Sequence, residues 1–411
     1  MKQITCCLAV LAALAPTLSA AQERDAGGVS FTLGLSQTLE ASSDRDLATD
    51  TAERGLQART RLSFGALSET RTERLSLDLS GGLRLGDDTT TRDSSRARLA
   101  YARQGADARL ELSATWDWAD VAFLRDVEDF RGPDGLIVLP DDLDELTATG
   151  TRETTTLDAR LIWGETAPVG YDLSASHRVL RYDTDTASLT DAVTNRVGAG
   201  LRLRLDPVTQ ARLDLSYSET DEVGSAPEDR LTLSGALTLE RPLGDITARL
   251  GASRDDAGDV YWQASLGRAL DLPGARLSGQ LGLVEDGSDQ IRLTGTLRYS
   301  QETPTGQITL SAAQSVAPGG DRRSTSLSAG YSHAVTPLST LGLGLDVARA
   351  TDLDGDADLT TGSLSASYGW EVTRGWDLRL GARAELRDDA GDRNRSGTAF
   401  VQLSRSLSWR P

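Results

Sequence analysis

Apolar and polar residues alternate along most of this chain. In the segment Ile291–Tyr299 every second residue is Ile, Leu, Gly, Leu or Tyr, and the residues between them are Arg, Thr, Thr and Arg. Because a β-strand places successive side chains on opposite faces, this alternation predicts a strand with one apolar and one polar face. The same rhythm recurs through residues 198–205, 276–283, 339–347 and 376–386.

The connections between these segments are of two kinds. One kind is short, and six of them contain a proline at nearly regular spacing: Pro168, Pro207, Pro242, Pro273, Pro304 and Pro337. The other kind is longer and acidic, and comprises residues 40–54, 86–94, 119–153, 183–193, 219–228, 254–259, 285–290, 317–323, 349–359 and 387–396. Ten long connections predict ten hairpins and about twenty strands, with eighteen or twenty-two left open.

Twenty strands with leucine on one face and charged or small polar residues on the other predict an all-β fold. A soluble sandwich would bury its leucines, whereas a closed antiparallel up-and-down transmembrane β-barrel turns them toward lipid and encloses water. The tryptophans favour the barrel, since all seven fall at predicted strand ends, where membrane interfaces lie: Trp116, Trp118, Trp163, Trp262, Trp370, Trp376 and Trp409.

The first 21 residues have the pattern of a secretory signal. Lys2 precedes an apolar run, and small residues suited to cleavage follow, with the cut expected after Ala20 or Ala21. Residues 22–411 then form one barrel domain without cysteine or lysine, which excludes disulfides, thiolate catalysis and cysteine metal sites. The net charge of −18 argues against a nucleic-acid partner.

Catalytic, cofactor and metal sites are not predicted. The two histidines, His177 and His333, share the apolar parity of their strands and have no motif around them. Alternating aspartates in residues 352–358 suggest a calcium loop, but Ala357 and Ser363 stand where the EF-hand pattern needs Gly and Glu. A solvated acidic loop is the better interpretation.

The signal, alternating strands, short turns, acidic loops and aromatic strand ends together resemble Gram-negative outer-membrane β-barrel porins. The similarity covers about Val29 to the C-terminus and rests on pattern, and Trp409 is followed by Arg410 and Pro411 where such barrels commonly end on an aromatic residue. It implies an outer-membrane location with both termini periplasmic, contact with lipid and lipopolysaccharide, and insertion by the barrel-assembly machinery. Porins often form homotrimers, and the alternation does not separate a trimer face from a lipid face.

Arginines opposite the leucines are the candidate pore-lining residues. They are Arg59, Arg61, Arg96, Arg98, Arg109, Arg202, Arg204, Arg212, Arg292, Arg298, Arg379 and Arg383. Basic residues outnumber acidic ones at this parity, which predicts a basic channel beneath an acidic mouth that attracts anions. The alternative is an ordinary solvated wall of paired charges.

The connection 119–153 is much longer than the others and follows the fifth predicted strand. In general porins the loop in this place folds into the barrel and narrows it, and this connection resembles that loop. Its candidate constriction residues are Asp126, Glu128, Asp129, Asp134, Asp141, Asp142, Asp144 and Glu145. The alternative is a surface lid.

The sequence thus predicts a passive outer-membrane pore for small hydrophilic solutes, anions among them, with selectivity set by the basic wall and the long connection. Two alternatives stay open at this point: an outlet for an acidic exopolysaccharide, and a structural or adhesive barrel with a plugged interior.

Deletion of residues 130–144 tests the constriction loop. If the loop narrows the pore, the deletion should raise single-channel conductance and the size limit for neutral sugars, since it removes an obstacle from the conducting path. The heat-modifiable migration of the folded barrel on gels should be unchanged. An unchanged conductance would assign the loop to the surface.

Overall fold

The computed structural model describes residues 28–43, 55–86, 89–120, 150–184, 189–353, 358–389 and 391–411. These residues form twenty strands in one antiparallel sheet. The strands are β1 (Gly28–Ser42), β2 (Gly55–Glu69), β3 (Glu73–Gly86), β4 (Thr89–Gln104), β5 (Ala108–Asp120), β6 (Gly150–Trp163), β7 (Val169–Thr184), β8 (Ala192–Asp206), β9 (Thr209–Glu222), β10 (Glu228–Arg241), β11 (Gly244–Asp255), β12 (Val260–Leu272), β13 (Ala275–Glu285), β14 (Ile291–Thr303), β15 (Gly306–Val316), β16 (Arg322–Thr336), β17 (Ser339–Asp352), β18 (Asp358–Thr373), β19 (Trp376–Asp389) and β20 (Asp392–Trp409).

The sheet closes on itself. Each strand pairs with its neighbours in sequence, and β1 also pairs with β20, from Phe31 opposite Trp409 to Ser42 opposite Thr398. Closure gives every strand two partners, so no edge is left with unpaired backbone groups. The prediction of a closed barrel of about twenty strands is confirmed. Within the described ranges, no helix is long and apolar enough to cross a membrane.

The two ends of the barrel differ as the sequence predicts. All six short connections that contain the regularly spaced prolines lie at one end, called here the turn end. The β8–β9 connection, for example, is only Pro207 and Val208, and Gly274 after Pro273 adopts a φ of +71°, which few residues other than glycine adopt readily. The connections β2–β3, β4–β5 and β18–β19 also lie there. The ten remaining connections lie at the opposite end, called the loop end.

The two faces of the barrel also differ. Leucines such as Leu250, Leu266 and Leu281 are 62 to 70% exposed on one face. On the other face Arg61 of β2 donates to the hydroxyl of Ser94 in β4, passing over β3. Side chains converge across an intervening strand on the concave side of a curved sheet, so the polar face surrounds the enclosed space, or lumen, and the leucines point outward.

Two stretches depart furthest from the predicted boundaries. Residues 387–396 were expected to be a connection, but β19 continues to Asp389 and β20 begins at Asp392. Residues 86–94 were expected to be a loop, but β3 continues to Gly86 and β4 begins at Thr89. The alternation misleads here because of a β-bulge: Ser80 lies opposite Arg96, whereas Gly82 lies opposite Asp93. The extra residue in β4 turns both Arg96 and Asp93 toward the lumen.

Aromatic rings stack across the seam where the barrel closes. The ring centroid of Phe31 lies 5.5 Å from that of Trp409 on β20 and 6.2 Å from that of Phe64 on β2, with an interplanar angle of 27° in both pairs. All three side chains point outward near the turn end. The stack therefore fastens the first, second and last strands where no covalent turn joins β1 to β20.

Replacement of Trp409 by Ala should weaken this seam. Both Trp409 and Trp370 of β18 point outward near the turn end, but the described residues provide no stacked ring for Trp370. Trp409→Ala should therefore lower the free energy of unfolding by about 1 kcal/mol more than Trp370→Ala, the value of an aromatic pair. Urea unfolding in lipid vesicles measures both, and equal losses would contradict a role for the stack.

Candidate functional site

The structure places all twelve predicted arginines on the lumen face. They occupy β2 (Arg59, Arg61), β4 (Arg96, Arg98), β5 (Arg109), β8 (Arg202, Arg204), β9 (Arg212), β14 (Arg292, Arg298) and β19 (Arg379, Arg383). They do not meet at one site. Two groups form instead, one toward the loop end of β2–β4 and one toward the turn end of β5–β11.

The first group is called the loop-end cluster and consists of Arg59, Arg61, Arg84 and Asp93. Three guanidinium groups surround the Asp93 carboxylate at 3.4, 3.7 and 3.3 Å, respectively. Asp93 is 2% exposed and Arg84 is 5% exposed, while Arg59 and Arg61 remain partly open to the lumen. Within the cluster three cations thus surround one anion, and the carboxylates of Glu40 and Asp120 act on Arg84 from outside it.

The bulge and one glycine build this cluster. The bulge turns Asp93 inward, and Gly82 on β3 provides the space, since a Cβ there would lie 2.5 Å from the Thr60 carbonyl oxygen and 3.3 Å from Oδ2 of Asp93. Sequence reasoning placed Asp93 in a connection and so missed it. The signal that could have revealed it is the change of parity between Asp93 and Arg96.

The second group is a band of alternating charges on β5–β9 near the turn end. Arg212 bridges two carboxylates, with Nη2 2.7 Å from Asp214 and 3.9 Å from Asp172. Asp172 also accepts from Arg160, at 2.9 Å from its Nε. Arg109 pairs with Glu111 at the far side of the band. Charge in this band is therefore largely compensated along the wall.

A recess of about 520 Å³ adjoins this band and has a different balance. Its charged lining residues are Arg202, Arg212, Arg249 and Asp214. Arg202 donates to the carbonyl oxygen of Gly164 at 2.9 Å, and Arg249 donates to a neutral amide, Oε1 of Gln280, at 3.3 Å.

Neither Arg202 nor Arg249 forms an ion pair with a carboxylate of the described residues, so the recess carries uncompensated positive charge. A guanidinium held by a neutral partner keeps its full charge for a carboxylate or phosphate in the lumen.

The lumen wall as a whole combines the two arrangements that the sequence leaves open, paired and unpaired arginines. Ion pairs with described carboxylates engage seven of the twelve arginines: Arg59, Arg61, Arg96, Arg109, Arg212, Arg292 and Arg383. Among the described residues, no carboxylate pairs with Arg98, Arg202, Arg204 or Arg379. The wall is thus part paired and part open.

The constriction candidates Asp126, Glu128, Asp129, Asp134, Asp141, Asp142, Asp144 and Glu145 lie outside the described residues, as do the signal segment and most of the loop 352–358. Within the described ranges, no group of three or more potential metal ligands occurs. His177 hydrogen-bonds to Asn195 at 2.8 Å, and His333 to Thr305 at 3.1 Å.

Asp93→Asn should destabilise the barrel strongly. The substitution removes the carboxylate that pairs with the nearly buried Arg84 and leaves this arginine close to Arg59 and Arg61. Loss of one partner of a buried ion pair costs about 3 to 5 kcal/mol. The matched control is Asp117→Asn, whose partner Arg96 is 64% exposed at its side chain, so the loss should stay below about 1 kcal/mol. Urea unfolding in vesicles measures both, and equal effects would refute the structural role of the cluster.

Comparison with known proteins supports the fold. No family model matches the chain, and no curated protein matches its sequence. Among solved structures, the siderophore receptor PirA from Acinetobacter baumannii has a TM-score of 0.56 at 7% identity, covering 94% of this chain and 81% of the receptor.

Two structures from Pseudomonas aeruginosa are also similar to the chain. Its PirA scores 0.51 at 10% identity, covering 94% of this chain and 82% of that receptor. OccK5 (OpdH) scores 0.44 at 13% identity, covering 93% of this chain and 98% of OccK5. Identities this low bear on the fold alone: the chain has the fold of outer-membrane β-barrel proteins.

Proposed function

We propose that this protein is an outer-membrane pore through which small hydrophilic solutes diffuse, with a preference for anions. The observation that carries the proposal is the lumen recess, where Arg202 and Arg249 are held by neutral partners and keep their charge. Three guanidinium groups against one carboxylate make the recess attractive to carboxylate and phosphate groups of a passing solute.

Two opposing charge effects act on a solute that enters. The loops carry acidic residues such as Asp256 and Asp289, which attract cations. These residues face bulk solvent, however, where salt screens charge over about 8 Å. The arginines line a confined space in which water and ions are fewer, so screening is weaker there. The lumen wall should therefore dominate selectivity, and it should do so even at high salt.

Location and orientation follow the resemblance to porins and the asymmetry of the barrel. The first residue of β1 and the last residue of β20 lie at the turn end. Short connections at one end of such a barrel are typical of the periplasmic side. We therefore place both termini in the periplasm and the loop end outside. The outward leucines would contact lipid and, at the loop end, lipopolysaccharide, after insertion by the barrel-assembly machinery. A homotrimer stays a prediction of the resemblance.

The charge of the recess can be tested by replacing both Arg202 and Arg249 with Gln. A unit charge about 4 Å from a passing ion contributes about 1 kcal/mol in water, which corresponds to roughly a fivefold change in local ion concentration. The double variant should therefore shift the anion-to-cation permeability ratio toward cations by several-fold. Reversal potentials of single channels in a salt gradient provide the measurement.

Arg268→Gln is the matched control, because Arg268 lies on β12 at the parity of the outward Leu266. It removes a positive charge of the same kind without changing the lumen, so selectivity should stay at the wild-type value. A cation-selective native pore, or a double variant as anion-selective as the native protein, would contradict the anion preference. A native protein without conductance would instead indicate a plugged scaffold.

A further inference from the structure

Two loops at the loop end of the barrel are hydrogen-bonded to each other. Residues 286–290 join β13 to β14, and residues 317–321 join β15 to β16. The backbone N–H of Gly287 donates to the carbonyl oxygen of Gly320 at 3.1 Å, and that of Gly319 donates to the carbonyl oxygen of Glu285 at 3.0 Å. The two loops, called here the shelf, therefore form one unit.

The shelf reaches over the inner wall. Arg230 of β10 donates from Nη1 to the carbonyl oxygen of Pro318, although four strands, β11–β14, lie between β10 and β15. Arg230 points into the lumen, since its neighbour Leu231 is among the exposed outward leucines. A contact that bypasses four strands must cross the lumen side, so the loop 317–321 bends inward across the mouth.

A tyrosine supports the shelf from below. Gly319 lies against the ring of Tyr261, and a Cβ on Gly319 would come within 2.4 Å of that ring. Gly319 also has a φ of +68°. A glycine is therefore needed here both for the turn and for the close approach to the Tyr261 ring. The Tyr261 hydroxyl donates to Asp255 at 3.1 Å, which fixes the ring. The lumen-facing Ser253 and Val284 nearby are only 2% and 3% exposed, so the wall beneath the shelf is covered.

The other loop of the shelf is rigid because of a fully buried carboxylate. Asp286 accepts hydrogen bonds from the backbone N–H groups of Ser288 and Gln290, both at 2.9 Å, and from Nε of Arg292 at 2.5 Å. Burial alone would raise the pKa of Asp286, but these donors outweigh burial and hold the pKa below its usual value. The carboxylate therefore stays charged at neutral pH, and the loop keeps its shape.

We propose that the shelf sets the size limit of the pore on the β10–β16 side of the mouth. The hydrogen bond from Arg230 to the carbonyl oxygen of Pro318, called here the latch, holds the shelf to β10. The inference rests on the proposed function, because a size limit has meaning only for an open pore. It concerns a different element from the long connection after β5. The shelf narrows the mouth because it extends inward over it. Its backbone is held in that position at its base by β13–β16 and across the lumen by Arg230.

Two substitutions release the shelf in different ways. Arg230→Ala removes the latch, and Gly319→Ala forces the loop away from Tyr261. Each should raise single-channel conductance by roughly 1.5-fold, since conductance follows the width of the narrowest section, and should admit larger neutral sugars into vesicles.

Each variant has a matched control. Arg196→Ala removes an exposed arginine that faces the lumen from β8. Among the described residues, Arg196 forms no hydrogen bond with the shelf. Gly224→Ala imposes a side chain at a φ of +96° where no atom lies within 4 Å. Both controls should conduct as the wild type does.

A cross-link tests the latch without relying on altered packing. Residues 22–411 contain no cysteine, so Arg230→Cys combined with Pro318→Cys provides one defined thiol pair. A short thiol-to-thiol cross-linker should join them and return the conductance of this double variant from the raised to the wild-type level. The pair Arg196→Cys and Pro318→Cys should not be joined by the same reagent.

The outcomes separate the two proposals. If the wild type conducts with anion preference, but Arg230→Ala and Gly319→Ala leave conductance and sugar size limit unchanged, the shelf does not set the size limit and the proposed pore stands. Failure of the Arg230–Pro318 pair to cross-link in folded protein would overturn the latch. A wild type without conductance would overturn the proposed pore and the shelf's role together.

Discussion

Closure of the twenty-strand sheet is the constraint on which the rest of this protein depends. Hydrocarbon offers no hydrogen-bond partner, so every spanning backbone N–H and C=O must be paired within the sheet. The β1–β20 pairing completes this requirement, and it fixes the register of all strands together. A slip of one residue in β8 would turn Arg202 and Arg204 outward. An outward arginine costs about 2 to 4 kcal/mol at the bilayer midplane and less toward the interface.

Because the outward leucines meet the requirement for an apolar surface, the inward face can carry charged residues. Packing does not dictate residue type there, so ion pairs, uncompensated arginines and small residues can be combined along one wall. The turn-end band neutralises itself through Asp172 and Asp214, whereas the adjoining recess keeps an excess of positive charge through Arg202 and Arg249. Under the proposed function, selectivity would arise from which arginines are left without a carboxylate, rather than from their number.

The sequence was sufficient for features that repeat locally. Period-two alternation predicts the strands, prolines such as Pro207 mark the turns, and the tryptophans fall at strand ends, as in Trp163 closing β6 and Trp376 opening β19. The lumen side of Arg202 follows from the same alternation. Each of these properties depends on neighbours within a few residues, which a pattern along the chain can report.

Features that depend on distant residues could not be predicted in the same way. The bulge that turns Asp93 inward breaks the alternation. The sequence therefore places Asp93, whose carboxylate pairs with three arginines, in a predicted loop. The pairing of Arg292 with Asp286 neutralises an arginine that the alternation alone counts as free. The contact between Arg230 and Pro318 joins residues 88 positions apart across the lumen, and no local pattern encodes it.

A cysteine scan along β8 tests the central claim, which is an apolar outward face and a water-filled inner face. Single cysteines placed from residue 198 to 204 in vesicle-inserted protein would be exposed to a charged, water-soluble thiol reagent and, after labelling with a fluorophore, to brominated lipids. The account predicts alternation: positions 198, 202 and 204 react with the reagent, and positions 199, 201 and 203 are quenched by lipid. The buried position 200, where a Cβ would lie 2.7 Å from Oδ1 of Asp214, should react slowly without being quenched by lipid. Uniform reactivity, or reactivity at the odd positions, would contradict it.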